Sequence, residues 1–121
     1  MRWPVAANLS LLFADLPLPE RAEAARDAGF SGVEIQFPYV LEAAALRTEL
    51  ERLALPLVLI NLPAGDLMEG GAGLAAVPER RPAFARVLEQ ALRYAEVVRP
   101  ERVNVLPGRL VEGVEREAAL A

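Results

Sequence analysis

The sequence predicts an α/β fold, with four parallel strands, three crossover helices and a short helical tail. Four short apolar stretches alternate with charged, alanine-rich segments that have helical spacing. Three of the apolar stretches are followed by a proline, which stops a strand because it cannot donate to the ladder. Strands that alternate with helices of this size imply a parallel sheet with right-handed crossovers.

The four predicted strands are short, and one of them is almost entirely apolar. The stretch at 57–61 is apolar at nearly every position, as expected for a strand that is covered on both faces. The four stretches are VAANL (5–9), GVEIQF (32–37), LVLIN (57–61) and RVNVL (102–106).

The first predicted helix runs from Pro19 to Ala28. Proline suits the opening position, since the N–H it lacks has no partner there. Gly29 follows at the position where a helix C-terminus favours a left-handed residue. Ala22, Ala25 and Ala28 share one face, so this helix can lie close against a sheet.

The second and third helices show clearer apolar periodicity. The second is predicted over about 41–53, with Leu46, Leu50 and Leu53 at helical spacing. The third is predicted over about 78–98, with one apolar stripe and charged residues off it. The stripe consists of Phe84, Val87, Leu88, Ala91, Ala95 and Val98.

Polar residues cluster near the predicted carboxyl ends of the strands. Ligands of barrels and of open α/β sheets bind at this edge. The prolines themselves are explained by plain strand punctuation, but they place several polar side chains at that edge. These are Asn8, Glu34, Gln36, Asn61 and Asn104.

Composition excludes several classes of function. The net charge of −4 argues against nucleic-acid binding, and the arginines lie scattered along helices near acids. Because cysteine and histidine are both absent, a metal site would need oxygen ligands. No apolar run approaches the roughly 18 residues that a membrane span needs. Polar residues interrupt the start of the chain, so we do not interpret it as a secretion signal and expect a cytoplasmic protein.

Glu34 is an acid within an otherwise apolar strand. A buried carboxylate is unfavourable unless it is paired or hydrogen-bonded. One interpretation is an acid satisfied by arginine or by backbone donors. The other is a polar group directed at a substrate, and the sequence favours neither.

The long loop NLPAGDLMEGGAG (61–73) is unusual in so short a chain. Loops of this length are usually functional or disordered. Asn61 can orient a substrate hydroxyl, and the glycines allow close approach of a ligand to the backbone. The alternative is a mobile surface loop. We favour a functional loop, but we expect Asp66 and Glu69 themselves to be merely solvated.

Aromatic and arginine side chains give weaker signals. Phe37 and Tyr39 flank a proline and can form either an aromatic wall over a pocket or ordinary packing, which is commoner. Arg80 and Arg81 can capture a carboxylate, although solvent-exposed helix arginines are the usual case. Neither a nucleophile–base pair nor a phosphate-binding glycine motif is present.

Several segments found together and in order resemble the hydroxypyruvate isomerase family. They are AANLSLLFADLPLPERAEAARDAGFSGVEIQFPY (6–39), LVLINLPAGD (57–66) and RVNVLPG (102–108). That family, with its 2-oxo-tartronate semialdehyde isomerase relatives, belongs to the xylose-isomerase-like TIM barrels. The resemblance implies that residues 1–108 form the N-terminal half of such a barrel and that 109–121 form a helical tail.

The resemblance also implies a chemistry. Full-length relatives interconvert hydroxypyruvate and tartronate semialdehyde by moving a proton between adjacent carbons. An acidic residue serves as the base for this proton transfer, often with Mg²⁺ or Mn²⁺. The catalytic and metal-binding acids lie in the second half of that barrel, so no catalytic or metal residue and no cofactor is assigned to this chain alone. The matching pocket candidates are Asn8, Glu34, Asn61, Asp66 and Asn104.

Half a barrel leaves its first and last strands with unpaired edges. We therefore expect a homo-oligomer or a complementing half barrel as partner, with a small hydroxy or keto acid as substrate and neither nucleic acid nor membrane. The chain alone is expected to be inactive. The alternatives are a non-catalytic binder of small hydroxy or keto acids and a structural remnant of a truncated gene.

Overall fold

The computed structural model describes residues 3–121 and contains one four-stranded sheet. The strands are β1 (Ala6–Asn8), β2 (Gly32–Ile35), β3 (Leu57–Asn61) and β4 (Arg102–Asn104). They lie side by side in sequence order, and β1, β2 and β3 pair in parallel. Each strand lies within its predicted stretch, and the predicted α/β half-barrel class is confirmed.

Helices connect the strands as predicted. They are α1 (Leu18–Asp27), α2 (Ala43–Arg52), α3 (Arg81–Val98) and a short α4 (Arg116–Leu120). Among residues 3–121, no helix is long and apolar enough to cross a membrane. Within the predicted helical tail (109–121), α4 covers only the last few residues, and one turn of 3-10 helix (Pro78–Arg80) precedes α3.

The first two helices end in the same way, but with different residues. After α1, Gly29 is left-handed at φ +92°, and the amide of Phe30 donates to the carbonyl of Ala25 at 3.0 Å. After α2, Ala54 takes this position at φ +52°, and the amide of Leu55 donates to the carbonyl of Leu50 at 3.0 Å. The same C-terminal motif is therefore made once with glycine and once with a strained alanine.

The chain divides into two compact units. The first unit comprises residues 1–60 and 93–103, and it contains the apolar core. Its strands supply Ala7, Val33 and Ile60, each without solvent exposure, and its helices supply Ala25 and Leu50. The predicted apolar faces of the first two helices are confirmed, except that Ala28 lies past the end of α1 and is exposed.

The second unit comprises residues 61–92 and 104–121. It contains the long loop after β3, which includes a turn of 3-10 helix (Leu67–Glu69), and most of α3. Ala91 is buried on α3, but Leu88 of the predicted stripe is 36% exposed.

Strand β4 is an open edge of the sheet. All three of its residues are exposed, and Val103 and Val105 keep 40% and 43% of their surface accessible. An unpaired strand edge with apolar side chains favours association with another β-structure.

Candidate functional site

The carboxyl ends of strands β3 and β4 form an edge in the second unit, which we call the rim. Asn61 is 8% exposed, and its Oδ1 accepts a hydrogen bond from Nδ2 of Asn104 at 3.0 Å. The amide of Leu62 donates to the carbonyl of Asn104 at 2.8 Å. Two of the predicted pocket residues are thus brought together as a pair of carboxamides, each of which can both donate and accept.

Asp66 fixes the long loop from within. Its Oδ1 accepts from the amide of Gly73 at 3.0 Å and from the guanidinium of Arg80 at 2.8 Å. The hydrogen bond from Arg80, followed by that from Gly73, holds the pKa of the Asp66 carboxyl below its ordinary value. The expectation that Asp66 is merely solvated is therefore wrong. The reason is that the arginine lies 14 residues further along the chain.

Arg80 also stabilises the long loop. Its Nη1 also donates to the carbonyl of Gly73 at 2.8 Å, so the side chain bridges the loop backbone and Asp66. Gly71 leaves room for this arrangement, because a Cβ at that position would overlap the Asp66 carboxylate. The loop is thus held by specific contacts within the second unit, with Asp66 at their centre.

The loops that follow β3 and β4 are joined through their backbones. The amide of Arg109 donates to the carbonyl of Ala72 at 2.8 Å, and the amide of Ala76 donates to the carbonyl of Pro107 at 2.8 Å. Gly108 is left-handed at φ +92° and lies so close that a Cβ there would overlap the carbonyl oxygen of Ala72. We call residues 70–76 and 107–109, with these contacts, the loop clasp.

Asn8 and Glu34 are neighbours in the first unit, directly paired in the register of β1 and β2. Asn8 Oδ1 accepts from the amide of Ser10 at 3.0 Å, and Ser10 Oγ accepts from the amide of Gln36 at 2.9 Å. Glu34 is half-buried, and no hydrogen bond or ion pair joins its carboxylate to another residue of 3–121. Within that range, the account of Glu34 as an acid paired with arginine is not supported.

Arg21 anchors the loop after β1, a role that the sequence did not indicate. From α1, its guanidinium donates to the carbonyls of Leu9 and Leu16, both at 2.8 Å, and to that of Ala14 at 3.4 Å. Phe13, left-handed at φ +58°, packs edge-on against Phe30 within the same unit. Backbone carbonyls occur at every residue, so no sequence motif marks such an anchor.

Tyr39, one of the two predicted aromatic residues, packs against another tyrosine of the first unit. Its ring lies 5.0 Å from that of Tyr94, whose hydroxyl is 2.9 Å from the carbonyl of Pro38 and 3.0 Å from that of Leu41. Burial, together with the neighbouring Tyr94, raises the pKa of Tyr39 to about 12, and burial raises that of Tyr94 to about 12. We interpret this pair as structural.

The described acids do not fit a divalent metal site. Within residues 3–121, no three acidic side chains are grouped closely enough to hold a metal ion. Mg²⁺ and Mn²⁺ require several oxygen ligands in a defined geometry. Asp66, one of the two acids of the long loop, already binds Arg80.

Comparison with known proteins supports the recognised family. A Mus musculus protein named after hydroxypyruvate isomerase is 45% identical over 114 residues, which cover 93% of this chain and 41% of that relative. The hydroxypyruvate isomerase of Escherichia coli is 38% identical, and the 2-oxo-tetronate isomerase of Pectobacterium atrosepticum is 40% identical. Each match covers 93% of this chain and 43% of the relative. No family model matches the chain.

A solved structure agrees with these sequences. The crystal structure of an AP endonuclease, family 2, from Brucella melitensis superimposes with a TM-score of 0.86 at 37% identity, over 97% of this chain and 45% of that one. Fold and rim together define this protein as a (β/α) half of the TIM-barrel class. It belongs to the hydroxypyruvate isomerase family as a partial-length homologue, spanning about two-fifths of the curated relatives it matches.

Proposed function

We propose that this chain provides the half of a hydroxypyruvate-isomerase-like barrel that binds a small 2-keto or hydroxy acid. The observation that carries the proposal is the contact of 3.0 Å between Asn61 and Asn104 at adjacent strand ends. Paired carboxamides suit the hydroxyl and carbonyl oxygens of such an acid, because they offer both donors and acceptors. The names of the relatives supply the substrate class, and we propose that the chain takes part in carbohydrate metabolism.

We propose that isomerisation itself requires groups from a second half barrel. Moving a proton between adjacent carbons needs a base whose pKa lies near the working pH. Asp66 is a poor base, since Arg80 and the Gly73 amide hold its pKa below the ordinary value of an aspartate. This supports the reading of the chain alone as a binder without turnover. A cytoplasmic location is part of the same proposal.

Titration calorimetry with hydroxypyruvate tests binding, and an isomerisation assay with and without Mg²⁺ or Mn²⁺ tests turnover. We expect binding without turnover. Asn104→Leu should weaken binding about fivefold or more through the loss of a hydrogen-bonding side chain. Gln90→Leu, an exposed change on α3, should leave it unaltered.

Three results would contradict this view. Substantial turnover by the chain alone would show that it contains the catalytic base. Equal binding of hydroxypyruvate by Asn104→Leu and Gln90→Leu would show that the carboxamide pair does not contact the ligand. Failure of the folded chain to bind hydroxypyruvate would favour a structural remnant.

We further propose that a second copy of this chain covers the open edge of β4. Val103 and Val105 are exposed there, and two four-stranded sheets would supply the eight strands of a closed barrel. Light scattering should therefore show a dimer at micromolar concentration, and Val103→Lys should shift it towards monomer. A monomeric wild-type chain would refute the proposal.

A further inference from the structure

The loop clasp places an arginine beside residues 70–73 of the long loop, which we call the glycine-rich loop. Arg109 follows β4 by a few residues, and its own amide is bonded to the carbonyl of Ala72. Its side chain returns to the same loop, since Nη1 donates to the carbonyl of Gly70 at 3.2 Å. Arg109 is therefore held against this loop through both its backbone and its side chain.

The charge of Arg109 is not compensated in the way that the charge of Arg80 is. Within residues 3–121, these two arginines contact the glycine-rich loop, through the carbonyls of Gly70 and Gly73. Arg80 also forms an ion pair with Asp66 at 2.8 Å. For Arg109, no carboxylate among the described residues lies within 4.0 Å of the guanidinium. A guanidinium has five N–H donors, and one neutral carbonyl accounts for only one of them.

An exposed guanidinium that is already positioned suits a planar anion. Arginine binds carboxylates through two parallel hydrogen bonds, and less side-chain entropy is lost when the group is already positioned. The 2-keto and hydroxy acids of the proposed function each carry one carboxylate, and their other oxygens suit carboxamides. Arg109 and the Asn61–Asn104 pair lie in the same compact unit.

We propose that Arg109 binds the carboxylate of the 2-keto acid. This inference rests on the proposed function, and it adds the group that distinguishes acids from neutral sugars of the same size. Arg80 has a different role, which is to hold the loop through Asp66 and Gly73.

Calorimetry on the whole chain tests the assignment with two probes. Hydroxypyruvate carries the carboxylate, whereas dihydroxyacetone has a hydroxymethyl group in its place. Arg109→Gln should weaken hydroxypyruvate binding by about tenfold or more and leave dihydroxyacetone binding unchanged. Arg109→Lys keeps the charge but not the planar fork, and it should restore part of the affinity.

Arg86→Gln is the matched control, because it makes the same charge change on the exposed surface of α3 in the same unit. It should alter neither affinity. Circular dichroism must show the same folded signal for every variant, and Arg109→Lys keeps the test decisive if Arg109→Gln does not fold.

The outcomes separate the two proposals. If the wild-type chain binds hydroxypyruvate and Arg109→Gln binds it equally well, the role of Arg109 is refuted while the proposed function stands. If Arg109→Gln weakens the binding of both probes to the same extent, Arg109 shapes the loop and does not bind the carboxylate. If the folded wild-type chain binds neither probe, the proposed function fails and this inference fails with it.

Discussion

Replacing Gly108 with alanine tests how tightly the loop clasp is closed. Gly108 is left-handed at φ +92°, and an added Cβ would meet the carbonyl oxygen of Ala72, a backbone atom that cannot rotate away as a side chain does. That same carbonyl accepts the amide of Arg109 at 2.8 Å. The substitution therefore strains the backbone and separates the two loops.

The expected loss follows from these two effects. A left-handed conformation costs a non-glycine residue about 1 kcal/mol or somewhat more. Separating Ala72 from Arg109 loses one backbone hydrogen bond between partly exposed residues, at about 0.5–1.5 kcal/mol. Gly108→Ala should therefore lower the free energy of unfolding by about 1.5–3 kcal/mol.

Gly113→Ala is the matched control for urea unfolding followed by circular dichroism. Gly113 belongs to the same unit and is left-handed at φ +79°, but nothing lies within 4 Å of the position of its Cβ. It should lose only the conformational part, about 1 kcal/mol. If the two variants lose the same free energy within about 0.5 kcal/mol, the clasp does not resist opening and our account of it is wrong.

Three further predictions concern the rest of the chain. Ala54→Gly should raise the free energy of unfolding by about 0.5–1 kcal/mol, because alanine is left-handed there at φ +52° and glycine relieves the strain. If urea titration shows no gain in the free energy of unfolding, the strain is absent. Tyr39 and Tyr94 should ionise near pH 12 in an ultraviolet titration of the folded chain and near pH 10 in urea. Because the pKa values are raised in the folded chain, the un-ionised tyrosines contribute stability that is complete below pH 10 and is lost as the pH rises through about 12. Ionisation near pH 10 in the folded chain would contradict their burial. Asp66→Asn should speed hydrogen exchange at the Gly73 amide, which loses a charged acceptor at 3.0 Å, while the amide of Gly29 serves as an unaffected reference; equal exchange would show that Asp66 does not hold the loop.

The elements of the fold were predictable because their signals are local. Helical spacing of Leu46 and Leu50 and the prolines after the strands act within a few residues, and both appear in the structure at the expected places. The helix that begins at Arg81 was predicted three residues early, because Pro78 opens a turn of 3-10 helix rather than the α-helix itself.

The candidate site was only partly predictable. The carboxyl ends of parallel strands meet at one edge, and this was enough to place Asn61 and Asn104 at the same edge, but not to predict the hydrogen bond between them. The clasp joins Ala72 to Arg109 through backbone groups that every residue possesses, so side-chain identity could not reveal it. Asp66 was misjudged for a related reason, since no periodicity links it to Arg80.

The anchor of the β1 loop has a practical consequence for engineering. Arg21 grips this segment through the carbonyl oxygens of Leu9, Ala14 and Leu16, which persist whatever side chains the segment carries. Leu11 and Leu12 point outward, with 67% and 41% of their surface accessible. A library randomised at those two sites should retain the loop conformation so long as Arg21 is kept, which makes this segment a natural place to graft new recognition sequences.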